Sequence, residues 1–62
     1  MSRPVLTSRE VEIIALLVNG MTTKDIANEL FISKRTVEFH ITNSMDKFKV
    51  NTRMKLILAY QN

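Results

Sequence analysis

The sequence predicts an all-α domain of four short helices, and three observations carry that expectation. One local pattern occurs three times in 62 residues: an apolar residue, then Ser or Thr, then an apolar residue four positions after the hydroxyl. Leu6-Thr7 leads to Val11, Met21-Thr22 to Ile26, and Ile32-Ser33 to Val37. At that spacing the hydroxyl accepts a hydrogen bond from a free amide of the first helical turn, while the apolar pair closes over it as a hydrophobic staple. The second observation is a stop signal, Asn19-Gly20, which suits a left-handed C-terminal cap. The third is negative: no two-residue alternation is sustained and no hairpin dipeptide occurs, so strands find no support.

The elements follow in order. The first helix runs from about Ser8 to Val18, capped by Thr7, with Glu10 placed to bond back to the cap and to face the positive end of the helix dipole. The second runs from about Thr23 to Phe31, with Thr22 and Asp25 in the same two roles. Only about three residues separate it from the third helix, which the Ser33 cap starts and which runs from about Lys34 to Phe48. That is the short connection of a helix-turn-helix, although its turn lacks the frequent Gly. Val50-Asn51-Thr52 begins a fourth helix that continues to about Tyr60. The whole chain, 1–62, is expected to form one domain, with residues 1–6 as an N-terminal arm.

Composition limits what such a domain can be. A chain this short buries only about 60% of its unfolded surface and is marginally stable unless something reinforces it. It has no Cys and a single His, so disulfides are excluded and no structural metal site is expected. Well-capped helices or oligomerisation remain as the reinforcement. The first residues carry no signal-peptide run, and nothing approaches the ~20 apolar residues of a membrane span, so a cytoplasmic protein without membrane partners is expected. The formal charge of +3 is unevenly placed. Residues 1–32 hold three bases and four acids, whereas Ser33 to Lys55 hold six bases (Lys34, Arg35, Lys47, Lys49, Arg53, Lys55) against Glu38 and Asp46. The positive half points to a polyanion.

On the third helix Val37, Ile41, Ser44, Met45 and Phe48 share one stripe, the buried side. Opposite lie Arg35, Phe39, Thr42 and Asp46, with Glu38, Asn43 and Lys49 on the shoulders. A phenylalanine among polar residues suits contact with a thymine methyl or sugar in a groove, or with a partner protein; the plain alternative is one ordinary exposed hydrophobe. His40 sits at the stripe's edge, placed to bond backbone or phosphate. Lys34 and Arg35 oppose the dipole in the first turn, a penalty of a few tenths of a kcal/mol that an anion there would remove; solvated charges are the alternative. The first helix carries a second apolar stripe, Val11, Ala15 and Val18, beside Ile13, Ile14 and Leu17, and the last helix is apolar nearly throughout. Such surplus suggests a protein interface.

Leu6-Thr7-x-Arg9-Glu10, Gly20, Lys24-Asp25-Ile26-Ala27, Leu30-x-Ile32-Ser33, Thr36-Val37-x-x-His40 and Lys47-x-x-Val50-x-x-Arg53 resemble the LuxR/GerE-type DNA-binding domain of bacterial transcription regulators. The resemblance covers about Leu6 to Tyr60 without a gap. It implies a four-helix helix-turn-helix domain whose third helix is the recognition helix in the major groove, braced by the second. It places Glu38, Phe39 and Thr42, with Asn43 beside them, toward base edges, and Ser33, Lys34, Arg35, Thr36 and His40 toward phosphates, with Lys47 and Arg53 adding affinity. It makes the last helix a dimer contact through Met54, Leu58 and Gln61, with Leu56, Ile57 and Tyr60 turned inward. This chain departs from the family pattern at Glu38, where a base is common, at Lys49, where a small residue is common, and at Val11 and Ala15, where polar residues are usual. Glu38 there repels phosphate or accepts from a cytosine amino group; Val11, Ala15 and Val18 open the first helix to contact and are expected in the dimer interface with the last helix.

The expected function is sequence-specific binding of double-stranded DNA in transcription, as a homodimer. The rival is an interaction module without useful DNA affinity that heterodimerises with a larger LuxR-type regulator and inhibits it; RNA polymerase is a further partner to consider. An enzyme is not expected: there is no Gly-rich phosphate loop, no paired carboxylates beside a nucleophile, and no motif for a cofactor or small molecule.

Overall fold

The computed structural model describes residues 4–62, so the outer half of the 1–6 arm lies outside the described residues. Four helices follow in order: α1 Ser8–Val18, α2 Thr23–Leu30, α3 Lys34–Phe48 and α4 Arg53–Gln61. Among the described residues there is no strand. Each helix begins at a hydroxyl. Thr7 Oγ1 accepts from the Glu10 amide at 3.1 Å, and the Glu10 carboxylate accepts from the Thr7 amide at 2.8 Å, closing a capping box. Thr22 and Asp25 do the same at 3.1 and 3.3 Å. Ser33 caps α3 through the Thr36 amide at 3.1 Å, and Thr52 caps α4 through the Lys55 amide at 3.1 Å. A cap of this kind is worth about 1 kcal/mol.

The stops of α1, α2 and α3 share one geometry. After α1 the amides of Gly20 and Met21 donate back to the Leu17 and Leu16 carbonyls at 2.9 and 3.1 Å, with Gly20 at φ 86°. After α3, Lys49 and Val50 donate to Asp46 and Met45 at 3.2 and 3.0 Å. After α2, the Ile32 amide reaches Ala27 at 3.0 Å. These are Schellman closures, which need a left-handed residue at the bend. Only the first uses Gly: Phe31 and Lys49 take that conformation at φ 57° and 58°. Phe31 therefore stands outside α2, which ends one residue earlier than its apolar pattern suggests, and the link to α3 is Phe31-Ile32-Ser33. At the other end of the chain, Val50 and Asn51 precede α4, which extends one residue past Tyr60.

The core is built from one face of each helix: Ile13, Ile14 and Leu17 from α1, Ile26 and Ala27 from α2, Val37 and Ile41 from α3, and Leu56 from α4. Leu6, the inner end of the arm, packs on this cluster, as do Met45, Phe48, Ile57 and Tyr60. Helix α3 lies against all three others. Its one buried hydroxyl, Ser44, is satisfied by the His40 carbonyl at 2.8 Å. No helix among the described residues is long and apolar enough to cross a membrane.

One charge is inside. Glu10 is 2% exposed, and its Oε1 accepts both the Thr7 amide at 2.8 Å and the Lys47 ammonium at 2.6 Å. Burial opposes its ionisation, but the bonds from Lys47 and Thr7 outweigh that and hold the carboxyl below its ordinary range. The pair ties the first turn of α1 to the last turn of α3. A carboxyl whose folded pKa is depressed stabilises the fold above its unfolded value, near 4.3, and the stabilisation is lost as pH falls through the folded value. Removing one partner of a buried pair costs about 3–5 kcal/mol; with the Lys47 stem a third exposed, about 2 kcal/mol is the better figure here. Lys47→Met is therefore expected to lower stability by about that amount at pH 7. The loss should shrink as pH falls through the depressed folded value and Glu10 becomes neutral; urea melts at pH 7 and at successively lower pH measure it.

Candidate nucleic-acid interface

With Val37, Ile41 and Ser44 locked into the core, helical geometry sends the opposite side of α3 outward. Arg35, Phe39, Thr42 and Asp46 are exposed along it. The Phe39 ring is 60% exposed and meets the half-buried His40 ring edge-on, with centroids 5.6 Å apart. Asn43 lies half-buried on the shoulder.

The start of α3 is its most electropositive part. Ser33 Oγ is 2.9 Å from Thr36 Oγ1 as well as capping the Thr36 amide, so both hydroxyls sit together at the helix entrance. Lys34 and Arg35 stand exposed beside them. Helices α1 and α2 each place an acid in the first turn; α3 places none. The positive helix end and two free cations thus add rather than cancel.

Two expected anion contacts are already engaged. Lys47 was expected on phosphate, but its ammonium is bound by Glu10. Lys47 thus takes part in the fold, with a third of its side chain exposed. Arg53 is paired with Glu38 in a closed ring of three bonds. Its Nη1 donates to Thr23 Oγ1 at 2.9 Å, its Nη2 donates to Glu38 Oε2, and Thr23 Oγ1 donates to the same Oε2 at 2.9 Å. The ring joins the first residues of α2 and α4 to α3. The Arg53 hydrogen bond is the largest influence on the Glu38 carboxyl, and with Thr23 it overcomes partial burial to keep the acid below its ordinary range.

The second surface is apolar. On α4, Met54 is 65% and Leu58 53% exposed, and Gln61 is exposed next to them. Leu56 is buried, and Ile57 and Tyr60 pack on the core. On α1, Val11 and Ala15 are exposed, whereas Val18 packs partly on the core and is only half available. Among the described residues no group of His and acidic side chains could hold a metal ion.

Sequence reasoning missed three features. Phe31 is 93% exposed in a left-handed bend, and the only sign of it was the apolar Ile32 that follows and packs on the core. Thr23 gave no sign of joining Arg53 and Glu38. The reach of Glu10 to Lys47 was hidden because the capping box accounts for Glu10 by itself.

The chain matches the family described as "Bacterial regulatory proteins, luxR family" over residues 4–60. It is 51% identical over 57 residues to the spore germination protein GerE of Bacillus subtilis (strain 168), covering 92% of this chain and 77% of that one. It is 45% identical over 58 residues to the transcriptional regulatory protein LiaR of the same organism, covering 92% of this chain but 28% of LiaR. The chain thus spans most of one relative and under a third of another. Among solved structures, the DNA-binding domain of the response regulator ComA, in complex with the anti-activator RapF, superposes with a TM-score of 0.89 at 34% identity, covering 94% of this chain and 100% of that one. Four helices in the same arrangement, matched nearly end to end, show that the chain belongs to the luxR family of bacterial regulatory proteins: it is a helix-turn-helix DNA-binding domain of transcription regulation, and not an enzyme.

Proposed function

We propose that the chain binds specific sequences of double-stranded DNA in the cytoplasm as a homodimer, with α3 in the major groove, α2 bracing it across the backbone and α4 joining the two copies. The observation that carries the reading is the outer side of α3. A phenylalanine 60% exposed among Arg35, Glu38 and Thr42 has no structural reason to face water, whereas a thymine methyl or sugar would cover it. Phosphate affinity comes from Lys34 and Arg35 with the Ser33 and Thr36 hydroxyls and His40; base choice comes from Glu38, Phe39 and Thr42, with Asn43 at the margin. The dimer contact is the exposed Met54, Leu58 and Gln61 of α4.

A second reading has one observation in its favour: Val11 and Ala15 leave α1 with an exposed apolar stripe that the core does not cover. That surface suits a larger regulator of the same family or RNA polymerase. ComA shows that this fold can be held by a protein, since its DNA-binding domain is complexed with RapF.

Two free cations in each copy give a dimer at least four phosphate contacts. Log affinity should then fall with log salt at a slope of about −4 or steeper. Phe39→Ala should change base preference at one position by about 1–3 kcal/mol. Equilibrium binding to duplexes selected from a random pool checks both; an affinity indifferent to salt, or uniform weakening by Phe39→Ala, contradicts the assignment.

Leu58→Glu should abolish self-association in sedimentation while leaving the helical circular dichroism intact, because the side chain lies outside the core. Affinity for a two-site duplex should fall by about 10²-fold or more as the second contact ceases to be intramolecular.

A further inference from the structure

We infer that Glu38 reads a cytosine in the groove, and that Arg53 and Thr23 are positioning residues that aim it. The inference rests on the DNA-binding reading above and specifies one of its contacts. A carboxylate on a DNA-facing helix is ordinarily unfavourable, since phosphates repel it. Here its charge is matched by Arg53 within the molecule, and the bonds from Thr23 and Arg53 both fall on Oε2. Neither of those bonds engages Oε1, and the side chain remains about half exposed.

The closed ring therefore leaves the second carboxylate oxygen as an acceptor outside its bonds. Because the guanidinium forks onto Thr23 as well as onto Glu38, the carboxylate is oriented against the starts of two other helices. An ionised carboxylate can only accept. In the major groove the donors are the amino groups of cytosine and adenine, and guanine and thymine offer acceptors that repel it. Adenine adds the N7 acceptor beside its amino group, so cytosine is the base that one fixed carboxylate oxygen suits.

The test is selection of duplexes from a randomised pool by the whole chain and by Glu38→Gln, Arg53→Gln and Arg53→Lys. The wild type should favour cytosine about tenfold at one position of each half-site. Glu38→Gln should move that position to adenine, whose N6 and N7 an amide meets with two bonds. Arg53→Gln should lose most of the cytosine preference there and leave other positions unchanged, with Arg53→Lys restoring part of it. Unchanged base choice in Glu38→Gln overturns the reading role. Uniform weakening by Arg53→Gln, with the preference intact, overturns the positioning role and makes Arg53 a phosphate contact. If the wild type enriches no sequence at low salt, the DNA-binding proposal fails and takes this inference with it, an outcome distinct from the other two.

Discussion

The buried carboxylate of Glu10 is the constraint on which the rest of the fold depends. It completes the capping box of α1 and receives the Lys47 ammonium at the far end of α3, so one oxygen ties the first turn of α1 to the last turn of α3. The core holds this 15-residue helix along Val37, Ile41, Met45 and Phe48, and the ion pair adds a polar tie at its far end. Pinned at Lys47 and capped at Ser33, α3 has a fixed rotation about its own axis. That rotation decides which residues face outward, and therefore what the domain can touch.

Two acid–base pairs do different things in this molecule. Glu10–Lys47 is largely out of water, and its loss leaves the Glu10 charge with only the capping bond from the Thr7 amide. Glu38–Arg53 is close to half exposed on both sides, where solvent screening leaves little net stabilisation. Its effect is geometric: it brings the first turns of α2 and α4 against the outer side of α3 and cancels two charges on that surface. The positive potential is thereby concentrated at the entrance of α3, at Lys34 and Arg35. The modest net charge of the chain is thus compatible with a strongly polarised surface.

Local chemistry made much of this legible before any coordinates. A hydroxyl followed by an apolar residue four positions on determines its own first turn, and so Thr7, Thr22 and Ser33 mark three helix starts. The 3.6-residue period separates Phe39 from Ile41 on α3 without reference to any neighbour. The helix ends at Phe31 and Lys49 were less visible, because a left-handed residue other than Gly carries no mark of its own; the apolar residue after each, packing back on the core, makes the bend. The two ion pairs were invisible for a different reason. Their partners stand 15 and 37 positions apart, on different helices, and spacing along one helix says nothing about which charges meet across several. Arg53 and Lys47 consequently read as free cations, when both are engaged.

The central claim is that the outer side of α3 is the surface that meets DNA. Titrating the isotopically labelled chain with a selected duplex and following its amide and aromatic resonances tests it directly. Shifts should concentrate at Ser33, Lys34, Arg35, Phe39 and Thr42, with the Phe39 ring changing most and the outer stripe of α1 at Val11 and Ala15 unmoved. Shifts centred on α1, or a Phe39 ring indifferent to saturating duplex, would contradict the account.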